Sequence, residues 1–201
     1  MAFTRSLILA VCSVAVTACD PIDGVGETNT PVTRFVTLTN NGIMPDQNFQ
    51  EDGGAGSHSD LVLYEGKLVG YSYAYGLVAD SDTFLGVAGA TPDPYVGAEI
   101  ESGSVSYNAR YSLAHADVDS TTNAAGNIQL TAGFDSGRVT GEDSGLQVYG
   151  EFSGTTLGGT VVHDGIVAEL RGSVGTSAIA GAFVGNSDEE VLVGGFVGVN
   201  N

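Results

Sequence analysis

Residues 178–198 read AIAGAFVGNSDEEVLVGGFVG, two short apolar runs on either side of a polar turn at residues 186–190. Side chains of a β-strand alternate between two faces, so every second residue shares a face. One face of this hairpin mixes glycine with large apolar residues: Ile179, Gly181 and Phe183 on the first arm, and Leu192, Gly194 and Phe196 on the second. Phenylalanine beside glycine on an antiparallel pair is typical of a small barrel that bends sharply while its core stays filled. The stretch therefore predicts a hairpin of a small β-barrel.

The rest of the chain also alternates, with turn signals between the alternating segments. It has 201 residues, 30 glycines, 5 prolines and no tryptophan, and nothing after residue 30 has a helical period. Because short strands follow one another through short turns, we predict an all-β fold: an antiparallel up-and-down β-barrel of about eight strands at residues 101–201, beside a smaller N-terminal β portion at residues 32–100. The predicted strands lie at residues 34–39, 60–64, 67–75, 84–88, 104–113, 127–135, 146–152, 157–163 and 166–174, followed by the hairpin.

The first residues have the anatomy of an exported protein. Arg5 precedes an apolar run at residues 7–16, which is too short for a stable membrane anchor and is typical of a signal-peptide core. Small residues then lead directly to Cys19, a pattern that resembles a bacterial lipobox, although Val16 stands where leucine is usual. We therefore expect a lipoprotein signal peptide at residues 1–18 and lipidation of Cys19.

The segment after Cys19 indicates a flexible tether at residues 19–31, because it has proline and glycine and no hydrophobic period. An ordinary secretory signal cleaved near Ala18 is the alternative. Cys12 would leave with the signal and Cys19 would carry lipid, so we expect no disulfide in the mature chain. Asp20 resembles an inner-membrane retention signal of enteric bacteria, which competes with an outer-membrane location.

The chain is strongly acidic, with a formal net charge of −18 at pH 7. A surface of this charge repels nucleic acid and anionic lipid headgroups, so we expect no nucleic-acid partner and no membrane contact beyond the anchor. The acids are scattered rather than grouped in blocks, which favours a well-solvated surface over recognition of a specific ligand by acids.

The C-terminal half, residues 103–198, resembles the β-barrel domain of transferrin-binding protein B and its lipoprotein relatives, the transferrin-binding-protein-like solute-binding proteins. Residues 106–111 (SYNARY) are similar to the tyrosine-bearing opening strand of that domain, and residues 127–135 (NIQLTAGFD) to its Leu-Thr-x-x-Phe strand. Residues 152–161 are similar to its short glycine-rich hairpin. Residues 181–196 match its ending, G-A-F-x-G…E-E…G-G-x-F, in residue types and spacing, with the paired glycine followed directly by phenylalanine.

This resemblance implies an eight-stranded barrel beside an N-terminal handle-like portion, in a lipoprotein at an envelope surface. Transferrin binding itself does not follow, since the large receptors of that family use a longer, two-lobed chain. The resemblance carries no ligand-contact residue over to this chain.

Little in the sequence points to catalysis or to a metal. The three histidines, His58, His115 and His163, are each isolated in the sequence, and the chain has no G-x-S-x-G or H-E-x-x-H motif. Asp117, Asp119 and the following residues weakly resemble a calcium loop but lack its glycine and its closing glutamate, so a polar strand connection is favoured. We expect no enzyme activity and no metal site.

Tyr71, Tyr73 and Tyr75 share one face of a predicted strand. They fit the core of a sheet, with hydroxyls reaching its rim. They also fit an aromatic ligand-binding platform for haem or for a partner protein, because tyrosines anchor interfaces and can ligate haem iron. Loops on a rigid scaffold often carry recognition, and the loops predicted here are residues 40–59, 79–94 and 117–125.

Two functions compete at this point. The favoured one is a lipid-anchored binding module of the bacterial cell envelope, at the outer membrane. It would act in acquisition of haem, iron or another metal source, through a ligand, a host protein or a transporter protein. The alternative is a structural or protective envelope lipoprotein without a small ligand, favoured by the absence of a convergent polar pocket signature.

Overall fold

The computed structural model describes residues 29–92, 94–98 and 102–200, which form β-strands joined by turns and loops. The predicted signal peptide, Cys19 and most of the predicted tether lie outside these residues. None of the described segments is an apolar helix of membrane-spanning length. The strands are β1 (Thr30–Phe35), β2 (Gly56–Tyr64), β3 (Lys67–Leu77), β4 (Thr83–Ala90), β5 (Ser104–Ala116), β6 (Thr121–Gly133), β7 (Arg138–Asp143), β8 (Leu146–Ser153), β9 (Thr156–His163), β10 (Ile166–Val174), β11 (Ala178–Asn186) and β12 (Val191–Val199).

Strands β5 to β12 form a closed eight-stranded barrel in which every strand pairs antiparallel with its neighbour in sequence. The barrel closes where β12 pairs with β5, from Val191 opposite Ala116 to Val199 opposite Asn108. The prediction of an all-β fold with an up-and-down barrel is confirmed. Closure leaves none of these eight strands as an exposed edge.

The barrel core is filled by alternate side chains of each strand, and the β11–β12 hairpin shows how glycine makes room for them. Gly181 lies opposite Phe196, and Phe183 lies opposite Gly194. A Cβ atom on Gly181 would be 2.6 Å from Cζ of Phe196, and one on Gly194 would be 2.5 Å from Cζ of Phe183. Each phenylalanine ring thus occupies the space above the opposite glycine, as the sequence pattern predicts.

A second, four-stranded sheet has the order β1–β4–β3–β2, with β1 parallel to β4. It packs against the outer face of β11 and β12, where Tyr71 and Val69 of β3 and Phe84 of β4 are fully or almost fully buried. The outer face of the hairpin therefore carries apolar residues as well. These are Ala178, Ala180, Ala182, Val184, Val191, Val193 and Val197. Burial on both faces explains why the hairpin sequence is continuously apolar.

Polar contacts also join the sheet to the barrel, and two of them lie at β5. The guanidinium of Arg110 on β5 donates two hydrogen bonds to the carboxylate of Asp60 on β2, at 3.0 and 2.7 Å. The hydroxyls of Tyr71 and Ser112 share a buried hydrogen bond of 2.8 Å. Both contacts link the sheet to β5, next to the hairpin on which it packs.

The strand boundaries differ from the predicted ones in several places. Strand β2 begins at Gly56, so the last four residues of the predicted loop at 40–59 are strand. The predicted first strand at 34–39 begins earlier, at Thr30, because β1 pairs alongside β4; the last two residues of the predicted tether are therefore strand. The predicted loop at 117–125 is mostly strand, because β6 begins at Thr121 and pairs with the end of β5. Strand β7 was not predicted, since Arg138–Asp143 is short, mostly polar and lies between turn signals.

Candidate functional site

At one end of the barrel, four tight turns connect β5–β6, β7–β8, β9–β10 and β11–β12, and we call this the loop end. Two segments of the sheet portion, residues 48–55 and 78–82, reach the same end. The amide of Ala79 donates to the carbonyl of Asn48 over 2.9 Å, which joins these two segments to each other. Gly54 lies against the β5–β6 turn, since a Cβ atom there would be 3.2 Å from the carbonyl oxygen of Val118. Parts of all three predicted recognition loops therefore converge at the loop end.

The loop end is acidic. Each barrel turn there carries or adjoins at least one carboxylate, and the turns contain no lysine or arginine. The acids of these turns include Asp119, Asp143, Asp164, Asp188, Glu189 and Glu190. The segments 48–55 and 78–82 add Glu51, Asp52, Asp80 and Asp82.

Most of the basic residues lie elsewhere on the described parts of the chain, but Arg34 on β1 donates a 2.9 Å hydrogen bond to Gln47, next to the segment 48–55. Lys67 and Arg138 begin β3 and β7, at the end of the molecule opposite the loop end. Arg110 pairs with Asp60, and Arg171 pairs with Glu169 at 2.8 Å. The excess of carboxylates over basic residues gives the loop end a negative potential that favours positively charged partners.

Two histidines meet inside the barrel at the loop end. Nε2 of His115, near the end of β5, is 2.8 Å from Nδ1 of His163, the last residue of β9. The residues are only 6% and 7% exposed. The expectation that each histidine is isolated is wrong for this pair, because β5 and β9 lie on opposite sides of the barrel and both side chains point into it.

Carboxylates flank the histidine pair. Oε1 of Glu190 is 3.4 Å from Nδ1 of His115, and Oδ2 of Asp164 is 3.5 Å from Nδ1 of His163. Burial lowers the pKa of His163, and the neighbouring His115 lowers it further, while Asp164 acts in the opposite direction. The His163 imidazole is therefore biased towards its neutral form, in which a ring nitrogen has a lone pair.

The structure brings three candidate metal ligands together. The ligand atoms of His115, His163 and Asp164 lie within 4.8 Å of one another. The weak calcium-loop pattern has a different explanation. The carboxylate of Asp117 accepts hydrogen bonds of 2.7 Å from the amides of Asp119 and Ser120, so it stabilises the β5–β6 turn.

Tyr71, Tyr73 and Tyr75 lie between the sheet and the barrel and are 0%, 4% and 7% exposed. Burial raises the pKa values of Tyr71 and Tyr73. The ring of exposed His58 lies 5.6 Å from that of Tyr73, centroid to centroid. The tyrosine face is therefore core in this structure, and its role in ligand binding stays a prediction.

A cleft of about 340 Å³ reaches the edge of the tyrosine cluster, where β2 and β3 meet β5 and β6. Its lining includes His58, Tyr73, Tyr75, Ser112 and Asn123. The edges of Tyr73 and Tyr75 are thus the parts of the cluster that a small molecule could reach.

Sequence reasoning missed the histidine pair and Glu190, although a signal was present. His115 continues the inward series Tyr107, Ala109, Tyr111 and Leu113. A polar residue at an inward position next to a turn indicates a group at the mouth of a barrel. Which two such groups meet depends on the strand order, and this cannot be obtained from local alternation.

No family model and no curated protein matches the chain. Among solved structures, HpuA from Kingella denitrificans in complex with human haemoglobin is similar, with a TM-score of 0.46, 16% identity, and coverage of 75% of this chain and 63% of that chain. Isotype 1 transferrin-binding protein B from serogroup B Neisseria meningitidis has a TM-score of 0.48 and 12% identity, with coverage of 90% and 41%. A transferrin-binding protein B mutant from Haemophilus parasuis has a TM-score of 0.47 and 12% identity, with coverage of 74% and 37%.

The chain thus spans less than two thirds of the length of each of these proteins. The same HpuA in its apo form is described as a haemoglobin receptor. Transferrin-binding protein B is also the protein whose β-barrel domain the C-terminal half of the sequence resembles. Structures of transferrin-binding protein B and HpuA are thus among the solved structures that are similar to this chain.

Proposed function

We propose that this protein is a lipid-anchored binding module of the bacterial cell envelope, whose loop end recognises a partner protein during acquisition of haem, iron or another metal source. The partner would be a host protein or an outer-membrane transporter. The anchor would be lipid on Cys19, followed by the tether, at the outer membrane.

The observation that carries this proposal is the convergence of parts of the three predicted recognition loops at one acidic end of a closed barrel. A closed barrel packed against a second sheet holds its turns in fixed positions, so little conformational entropy is lost when they dock. Negative potential at the same end accelerates the approach of a basic surface and disfavours acidic ones. The loop end is therefore suited to a partner protein with a basic face.

Lipidation is a separate part of the proposal. The expected mature chain begins at Cys19 and carries acyl chains on that residue. Intact mass of the chain from its native membrane, compared with a Cys19→Ser variant, tests it. A mass increase that disappears in the variant supports the anchor, and an unacylated chain cleaved near Ala18 would contradict it.

The proposal includes haem as a small ligand, which would bind at the cluster of Tyr71, Tyr73 and Tyr75. A haem molecule would have to displace the sheet or enter by the cleft next to His58, Tyr73 and Tyr75. An absorbance titration with haem tests this route. A saturable Soret shift that is lost when Tyr73 and Tyr75 are both replaced by phenylalanine supports it, and the absence of a shift in the wild-type chain removes haem from the proposal.

The proposed function is tested by affinity capture with the full chain, from solubilised envelope of the native bacterium and from host serum. Specific capture of one transporter, haemoprotein or iron-carrying protein supports the proposal. Capture of none of these classes from either source would contradict it.

The burial of the tyrosine face favours the second candidate, a structural or protective lipoprotein without a small ligand. Such a protein would be abundant, and its level would not change under iron limitation. Quantitative proteomics of iron-replete and iron-starved cells separates the two candidates, because an acquisition protein should increase when iron is scarce.

A further inference from the structure

We propose that the loop end holds a divalent transition-metal ion of the zinc class, bound by His115, His163 and Asp164. This site goes beyond the proposed recognition of a partner protein. It needs neither haem nor a host protein to form.

The positions of the three ligands are near those that a metal requires. Nitrogen ligands lie about 2.0–2.1 Å from Zn²⁺ and carboxylate oxygens about 2.0–2.2 Å, so two ligands of a tetrahedral ion are roughly 3.3 Å apart. Nδ1 of His163 is 2.8 Å from Nε2 of His115 and 3.5 Å from Oδ2 of Asp164. To bind an ion, the two imidazole rings would have to move apart by about half an ångström, and the Asp164 side chain would have to move slightly.

The ligand set selects the class of ion. Two imidazoles and one carboxylate suit Zn²⁺, Ni²⁺ or Cu²⁺, whereas Mg²⁺ and Ca²⁺ prefer sites built from oxygen alone. The structure supplies three protein ligands, which leaves a fourth tetrahedral position for water or for a group of a bound partner.

Glu190 completes the arrangement. A metal-bound histidine usually donates its other ring N–H to a carboxylate or carbonyl, which fixes the tautomer and the orientation of the ring. Oε1 of Glu190 is 3.4 Å from Nδ1 of His115, on the side of the ring opposite His163. Glu190 thus keeps Nε2 of His115 free for the metal, as a positioning residue rather than a ligand.

The site also has a route for the ion. The side chain of Asp164 is 75% exposed, while those of His115 and His163 are 7% and 9% exposed. Asp164 and Gly165 form the β9–β10 turn with positive φ values of 47° and 85°, which places the carboxylate at the mouth of the barrel. The surrounding acids raise the local concentration of cations. An ion therefore meets Asp164 first and the two imidazoles behind it.

The test uses the full chain without an affinity tag, first stripped with EDTA. ZnCl₂ is titrated by calorimetry, and CoCl₂ is followed by visible absorption, which reports four-coordinate geometry. We expect one ion per chain, a rise in the melting temperature with Zn²⁺, and no rise with the same concentration of MgCl₂ or CaCl₂.

Three variants assign the site. Asp164→Asn and His163→Gln should each weaken Zn²⁺ affinity about tenfold or more. Removal of a group that only supports a metal ligand already lowers metal affinity by about that factor. His58→Gln is the matched control, because His58 is exposed and lies outside the cluster, and it should bind Zn²⁺ as the wild type does. Circular dichroism verifies that each variant is folded; the exposed Asp164 makes its substitution the safer one for the fold.

Absence of saturable Zn²⁺ binding to the wild-type chain would overturn the site. Unchanged affinity in a folded Asp164→Asn variant would overturn the ligand assignment, as would loss of binding in His58→Gln. Affinity capture of a partner protein is carried out separately in the presence of EDTA, which removes metal from the site. A partner captured without metal leaves the proposed function standing whatever the outcome for zinc.

Discussion

The ring of Tyr71 packs directly on Gly195: a Cβ atom at Gly195 would lie 2.3 Å from two carbon atoms of that ring. Tyr71 belongs to the sheet and Gly195 to the barrel hairpin. The hairpin therefore has two roles. Its inner glycines make room for phenylalanine inside the barrel, and Gly195 makes room on the outside for the sheet.

This contact predicts that Gly195→Ala destabilises the protein. The added methyl group would collide with the Tyr71 ring and would also lie 2.6 Å from the carbonyl oxygen of Gly181, so the sheet and the barrel must shift apart. Overpacking of this kind costs about 1–3 kcal/mol of unfolding free energy. Chemical denaturation measures the change. The control is Gly158→Ala, where the nearest atom to the new methyl group is 3.8 Å away, and an equal loss there would contradict the explanation.

The buried hydrogen bond between Tyr71 and Ser112 should contribute measurably to stability. Tyr71→Phe removes one partner and leaves the other hydroxyl buried without it, which we expect to cost about 1–3 kcal/mol. In a double-mutant cycle with Ser112→Ala, the two losses should be less than additive. Fully additive losses would indicate that the two hydroxyls do not interact in solution.

Arg110 and Asp60 should couple the sheet to the barrel only weakly. Their side chains are 57% and 20% exposed, so solvent screens much of the attraction between them. A double-mutant cycle with Arg110→Gln and Asp60→Asn should give a coupling of about 1 kcal/mol or less at low salt. It should shrink at 1 M NaCl, where the Debye length is about 3 Å. A coupling that does not change with salt would contradict this account.

The raised pKa of buried Tyr107 leads us to expect a loss of stability at alkaline pH. Burial raises its pKa to about 12, above the ordinary value of 10.0, and its hydroxyl donates to the carbonyl of Gly175. The stabilising contribution of the neutral phenol is complete below pH 10 and is lost as the pH rises towards 12, because the unfolded chain ionises first. Denaturation at pH 8 and at pH 11 measures this.

Tyr107→Phe is the matched variant for that experiment. At pH 8 it should be less stable than the wild type by about 1 kcal/mol, because it lacks the hydrogen bond to Gly175. At pH 11 the difference should narrow, since the variant has no phenol to ionise at this position. A constant difference at both pH values would contradict the assignment.

The parts of the fold that sequence predicts well are those that depend on local alternation. Gly181, Phe183, Gly194 and Phe196 alternate in a way that only a tightly bent antiparallel pair satisfies, and the structure pairs them as expected. The alternation of Tyr71, Tyr73 and Tyr75 likewise identifies one face of β3. It does not say whether that face meets a ligand or another sheet, because both require the same apolar surface.

The parts that sequence predicts poorly depend on contacts between distant strands. Arg138–Asp143 alternates too briefly to be recognised, and β7 is stable because β6 and β8 pair with it on both sides. The histidine pair combines residues 48 positions apart. No local pattern relates them, because their contact follows from the number of strands in the closed barrel and the direction in which each strand runs.

The central claim is that a partner protein docks on the acidic loop end. The most direct test compares two variants with the same loss of charge in affinity capture: Asp188→Asn with Glu189→Gln at the loop end, and Glu65→Gln with Glu151→Gln towards the opposite end. All four side chains belong to exposed residues. The account predicts that the loop-end variant loses the partner that the wild type captures, and that the opposite-end variant keeps it. Equal capture by both variants, or loss only in the opposite-end variant, would contradict the claim.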